Sequence, residues 1–259
     1  MSEITGAPAG PAPGEYWVRQ NDIPPKMGFG AKLLNIFVEP SSVFKNIYYH
    51  NDWLTPFVVG GASMIVATLM QMGLMNEARR QFNEVMGIPG NAAVEGATTI
   101  SQYVGAFFTP LNLLFIWLVG AAITFVLGTF LLENVDFKKL YSIVAWSWMP
   151  VIFTQLINGV YKMGQTPAIS SYEDYIDSMF PWTLSLSQII SGDGVLFKVL
   201  GTIDVFAVWS FYLFVLGLIF GLHNQPGRAW TVALIYAAIG LAMTSGIFAL
   251  MYVFKPPQG

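Results

Sequence analysis

The chain has 259 residues, 54% apolar and only 10% charged, with a formal net charge of −3 and a mean hydropathy of +0.56. Soluble domains carry roughly a quarter charged residues, so this composition points to a bilayer, and the small negative charge excludes the basic face that nucleic acid requires. Cysteine is absent, which excludes disulfides, thiolate nucleophiles, cysteine metal sites and S-acylation.

Residues 1 to 26 hold Pro8, Pro11, Pro13, Pro24 and Pro25 among small and polar side chains, without the apolar run of a signal peptide, and read as a disordered, uncleaved tail. From 27 to 53 the apolar residues recur at helical spacing, Phe29, Leu33 and Phe37 and then Val43, Phe44, Ile47 and Tyr48, with Pro40 between the two pieces. Both pieces are too short to cross a bilayer. One reading lays them in the interface as amphipathic helices; the other packs them on the cytoplasmic ends of the spans.

The rest, 54 to 259, reads as one all-α membrane domain. A hydrocarbon core of about 30 Å takes about 20 helical residues to cross. Five segments qualify: Leu54 to Met75, Phe107 to Leu132, Leu140 to Val160, Val199 to Leu222 and Trp230 to Phe254. Trp53, Trp182 and Trp230 stand near segment ends as interfacial anchors would. Short links, Glu133 to Lys139 and His223 to Ala229, fall on one side, and long ones, 76 to 106 and 161 to 198, on the other. Within the second long link, Met179 to Ile190 is apolar but too short to span, and reads as a helix lying on the outer face.

Lys and Arg set the orientation. The side with the N-terminus and short links holds Arg19, Lys26, Lys32, Lys45, Lys138, Lys139 and Arg228, against Arg79, Arg80, Lys162, Lys198 and Lys255 on the other. The positive-inside bias then places the N-terminus in the cytoplasm and the C-terminus outside, as in a multi-pass inner-membrane protein.

Four-residue ladders of small side chains occur at Gly120, Thr124 and Gly128, at Gly217 and Gly221, and at Ala238, Ala242 and Gly246. Such ladders let helix backbones approach closely, either inside the bundle or against a partner or second copy. Pro150 removes a backbone donor inside the third span and predicts a kink, with Ser147 and Thr154 available to the freed carbonyl of Trp146. Asp204 is the only acid inside an expected span, which makes it a functional suspect, with Gln71, Gln155 and Asn158 as hydrogen-bonding candidates on other spans. The bland alternative is a hydrated structural acid.

Signs of catalysis are missing. With only His50 and His223, neither HExxH nor a three-histidine metal site can be built. Met243-Thr244-Ser245-Gly246 lacks the leading glycine of GxSG, and neither a Walker A sequence nor a dinucleotide fingerprint is present. No cofactor is expected.

Three stretches carry a family resemblance: Val38 to Ile47 ahead of Trp53 and Pro56; Phe137 to Pro150; and Val208 to Leu218 followed by His223 to Ala229. In order and spacing they resemble bacterial members of the Yip1 family. The resemblance implies a five-helix membrane domain with a cytoplasmic N-terminus and an outside C-terminus. In eukaryotes the family is associated with Rab-type GTPases, but the Asp-Leu-Tyr-Gly-Pro signature of that branch is missing here, and Rab binding does not carry over. The expectation is a non-enzymatic scaffold, adaptor or accessory subunit in contact with lipid and with other membrane subunits or a second copy. The rival is a small transporter or channel component using Asp204.

Overall fold

The structure, a computed structural model, describes residues 23–89, 92–179 and 195–253, and its elements are all helices. The tail before residue 23, the expected outer-face helix beyond Met179 and the end of the fifth expected span after Val253 lie outside the described residues.

Two ten-residue helices, α1 (Phe29–Val38) and α2 (Pro40–Tyr49), are joined by Glu39 alone. They form a hairpin, because the chain entering α1 lies beside the end of α2. Met27 N–H donates to Asn46 Oδ1 at 3.2 Å, and the carbonyls of Pro25 and Pro24 meet Asn46 Nδ2 and His50 Nε2 at 3.0 and 2.9 Å. Ile36, Val43, Phe44 and Ile47 are fully buried, so the hairpin turns one face to protein rather than lying free.

Among the described residues four helical segments are long and apolar enough to cross a membrane: α3 (Leu54–Val85); residues Gly96–Leu131 of α4 (Ala92–Leu131); α5 (Phe137–Ser147) with α6 (Met149–Met163) as one segment; and Pro226–Leu250 of α10 (Pro226–Val253). At 32 and 40 residues, α3 and α4 are about 48 and 60 Å long, well beyond one hydrocarbon layer. Most of the expected 76 to 106 link is therefore helix. Glu77, Arg80 and Glu84 pair one turn apart at 2.6 Å and support the extension, and the turn comes only at Gly87, whose φ of 64° suits glycine.

The fourth expected span, Val199 to Leu222, is not one helix. It divides into α8 (Val195–Gly201) and α9 (Val205–Leu216), the latter running on into a π turn, Gly217–Gly221. The apolar run Val205–Gly221 is roughly 25 Å long, shorter than the other crossings. A further helix not foreseen, α7 (Tyr172–Met179), lies in the second long link. Ser171 Oγ caps it by accepting from Asp174 N–H at 3.1 Å, while Asp174 accepts from Ser170. Those Ser170 bonds hold the Asp174 carboxyl below its ordinary range.

The α5–α6 pair is the centre: 61% of its apolar stretch is buried in protein, against 17% for α10. Trp117, Leu140, Ile143, Trp146, Met149, Ile152, Leu213 and Leu218 fill the core around it. In lipid, burial from water does not drive helices together, so close packing carries this association. Glycines permit it: a methyl on Gly60 would stand 2.7 Å from Ile152, on Gly61 3.1 Å from Pro110 of α4, and on Gly159 3.3 Å from the Ala67 backbone.

Candidate functional site

The N-terminal hairpin and both short links gather at one end of the bundle, the link end. Lys32 stands among Phe29, Leu33 and Ile36 on the apolar stripe of α1. Its ammonium meets Asp52 at 2.6 Å, with the two side chains only 1% and 7% exposed. Asp52 is held in turn: its carboxylate accepts from Thr55 N–H at 3.1 Å, its own N–H donates to Ser142 Oγ at 3.2 Å, and its carbonyl accepts from Trp146 Nε1 at 2.7 Å. A buried charge is tolerated only when paired and hydrogen-bonded, so this cluster fastens α1, the start of α3 and α5 at one point.

Asn224 fastens the two short links. Its Oδ1 accepts from the N–H groups of Glu133 and Asn134 at 2.9 and 3.0 Å, and its Nδ2 donates to the carbonyls of Asn134 and Leu218 at 3.0 and 3.4 Å. Gln225 and Arg228 both reach Glu133, at 2.8 and 3.5 Å. The His223 ring stacks on Tyr48 with centroids 3.9 Å apart, and Lys139 Nζ lies 3.9 Å from the same Tyr48 ring. Partial burial, with the Lys139 charge, holds the His223 imidazole below its ordinary pKa. Asp136 caps α5, accepting from the N–H groups of Lys138 and Lys139 at 2.9 and 3.1 Å.

The small-residue ladders part company. A methyl on Gly217 would overlap Ile143 and approach Phe44, and one on Gly221 would stand 2.8 Å from Ile143. Both positions are interior contacts between the π turn, α5 and α2, and they sit on a widened turn rather than a regular α-helix. Gly120 faces Tyr236 and Val144, Gly128 faces Val135 and Leu132, and Thr124 is buried with its hydroxyl on the Gly120 carbonyl at 2.8 Å. Ala238, Ala242 and Gly246 are exposed, and nothing lies within 4 Å of a methyl added at Gly246.

At Pro150 the helix breaks two residues earlier, at Trp148, leaving Pro150 buried in the first turn of α6. The expected hydroxyls are occupied elsewhere, Ser147 on the Ile143 carbonyl and Thr154 on that of Pro150, while the Trp148 N–H closes the last turn of α5 on the Val144 carbonyl at 3.2 Å. Asp204 is not on the face of a continuous span. It is the N-cap of α9, its carboxylate accepting from Ala207 N–H at 2.6 Å. The reason is local: α8 ends at Gly201, Thr202 Oγ1 turns back to the Val199 carbonyl at 2.7 Å, and an aspartate suits the first free N–H groups of a new helix. Gln71 and Gln155 are half-buried and Asn158 fully buried, and no hydrogen bond joins any two of these four residues. Among the described residues no group of three His, Asp or Glu side chains is placed to hold a metal ion.

Sequence reasoning missed Lys32–Asp52, Asn224 and the three glycines at Gly60, Gly61 and Gly159. A signal for the first was present, since Lys32 shares the i, i+3, i+4 stripe of Phe29, Leu33 and Ile36.

Residues 34–249, from within α1 to nearly the end of α10, match the Yip1 domain. The chain belongs to the Yip1 family. A relative, the membrane protein YknW of Bacillus subtilis (strain 168), is 24% identical over 235 residues, which cover 86% of this chain and 87% of that protein. No solved structure matches. Each stretch that resembles the family supplies an interior contact in this Yip1 domain: Phe44 from the first lies on Gly217, Trp146 from the second on Asp52, and Asn224 from the third on the link after α4. The chain is thus a Yip1-family membrane protein with several apolar helices.

Proposed function

We propose that this Yip1-family protein is a non-enzymatic scaffold, adaptor or accessory subunit of a larger membrane assembly, acting through contacts with protein and lipid. α10 carries this reading. The bundle turns its other close-approach ladders on itself, whereas α10 keeps Ala238, Ala242 and Gly246 outward, flanked by exposed Leu234, Leu241 and Ile247. Small residues on an outward face let another helix approach closely without competition from long side chains.

In this reading α9 and its π turn form a short fifth crossing, accommodated by tilt or local thinning. Five crossings in an inner membrane then put the N-terminus and the short links on the cytoplasmic side, with the hairpin entering the bundle from that side, and the C-terminus outside. Transport through Asp204 has less support, because its carboxylate is already engaged as a helix cap.

A photo-cross-linking side chain at Ala242, activated in native membranes, tests the contact role. A discrete protein adduct is expected there and none at buried Val232. Adducts of bulk lipid alone at Ala242 would remove α10 as a protein-contact face.

A further inference from the structure

The hairpin of α1 and α2 runs along the bundle. At its open end Tyr48 lies on His223 of the short link. At its closed end Phe37 meets Phe153 of α6, ring centroids 5.2 Å apart. Phe153 is close to the middle of the Phe137–Met163 membrane segment. Between the two ends, Phe44 lies against Ile143 and the π turn. Ten helical residues rise about 15 Å, half of a hydrocarbon layer of about 30 Å. The hairpin therefore runs from the link end along the α5–α6 segment, turns at Glu39 beside the inner part of that segment and returns.

That geometry puts an acid where the sequence shows none. Glu39 is exposed, and its carboxylate has no hydrogen bond or ion pair with any described residue. Around it Leu34 and Val38 are 65% and 72% exposed, while half-buried Ser42 gives its hydroxyl to the Glu39 carbonyl at 2.7 Å, so the surface is largely apolar and holds one carboxylate. The cations of the hairpin are committed elsewhere, Lys32 to Asp52 and Lys45 against the Phe220 ring at 5.2 Å. A lipid headgroup stays at the boundary, about 15 Å away, and hydrocarbon offers a carboxylate nothing.

We propose that the hairpin tip, Leu34, Phe37, Val38 and Glu39, is an intramembrane docking site for a helix of another membrane protein that carries a basic side chain at mid-depth. Charge complementarity selects this occupant: the apolar residues pack the helix, and Glu39 supplies the counter-charge its cation needs. The inference rests on the contact role proposed above and names the partner's chemistry.

The full chain contains no cysteine, so single labels are unambiguous. With a bimane on Val38→Cys in phospholipid vesicles, quenching is expected to be strongest from nitroxides placed near mid-bilayer; quenching by headgroup or aqueous nitroxides overturns the proposal. With a donor on Lys26→Cys, energy transfer then reports binding of a synthetic leucine-rich transmembrane peptide bearing one central lysine, or leucine there instead. The lysine peptide is expected to bind about tenfold more tightly than the leucine peptide, a preference lost in Glu39→Leu and reduced in Glu39→Gln. Equal binding of the two peptides, or a preference that survives Glu39→Leu, overturns the site. So does a self-associated form that Glu39→Leu abolishes while the peptides bind alike, since the occupant is then a second copy. If a subunit co-purifies equally with wild type and Glu39→Leu, the tip is wrong and the contact role stands. If wild type is solitary in native membranes yet discriminates the peptides, the contact role fails and the site chemistry stands.

Discussion

The link end and the outward side of α10 are built from similar residue types and end in opposite conditions. At the link end nearly every polar or small group has a committed neighbour: Lys32 has Asp52, Asn224 has the Glu133–Asn134 backbone, and Gly217 and Gly221 have Ile143. Along α10, Ala238, Ala242 and Gly246 keep the same four-residue spacing as Gly217 and Gly221 and face outward. Spacing alone therefore marks a helix surface capable of close approach, and the rest of the chain decides whether that surface is spent on the fold. Here the buried ion pair and the Asn224 bonds gather at the link end, while the α10 ladder and Leu34, Val38 and Glu39 of the hairpin tip stay exposed.

The largest expected difference comes from Lys32→Ala. It leaves Asp52 buried without its cation, and loss of about 3–5 kcal/mol is expected in equilibrium unfolding by a denaturing detergent. Unchanged stability would mean that the Lys32–Asp52 pair does not fasten the link end. Gly217→Ala is next, at about 1–3 kcal/mol, because a methyl there displaces Ile143 and Phe44. In an Ile143→Ala background, which lacks the Cγ2 methyl that the new side chain meets, Gly217→Ala should cost less, a difference that a double-mutant cycle measures.

A smaller effect is expected from pH. Unfolded His223 takes up a proton near pH 6.5, whereas burial and Lys139 hold the folded residue lower, so the unfolded state binds more protons across that interval. The His223 contribution is fully present above about pH 6.5 and declines as pH falls through the window below it; His223→Asn should flatten the dependence of the unfolding midpoint on pH there. The smallest effect belongs to α10: Ala242→Leu should change the stability of the isolated chain by no more than about 0.5 kcal/mol. A loss as large as that of Gly217→Ala would mean that the α10 ladder is interior after all.

Much of the architecture was legible in the sequence because apolar run length is a direct report of membrane crossing. The long segments, the short links and their common end follow from that alone. The break at Thr202–Asp204 was hidden, since Gly201, Thr202 and Asp204 interrupt hydropathy too briefly to divide an apolar run, yet an aspartate able to cap a helix was enough to start a new one. Asp204 thereby changed from a suspected intramembrane acid into a cap, while Glu39, in a piece too short to span, came to lie beside the middle of one. Depth depends on how the hairpin packs, and that contact is non-local. The inward and outward ladders were indistinguishable for the same reason: residues 217 and 221 meet residues 44 and 143, far away in the chain.

Contact within a membrane assembly is the role proposed for this Yip1-family chain. Extraction of the full chain from native membranes in mild detergent, followed by measurement of the mass and composition of the particle that contains it, decides this. A species larger than one chain with its lipid belt is expected, containing a second membrane subunit in fixed stoichiometry. A solitary chain that retains neither protein nor a specific lipid would contradict it.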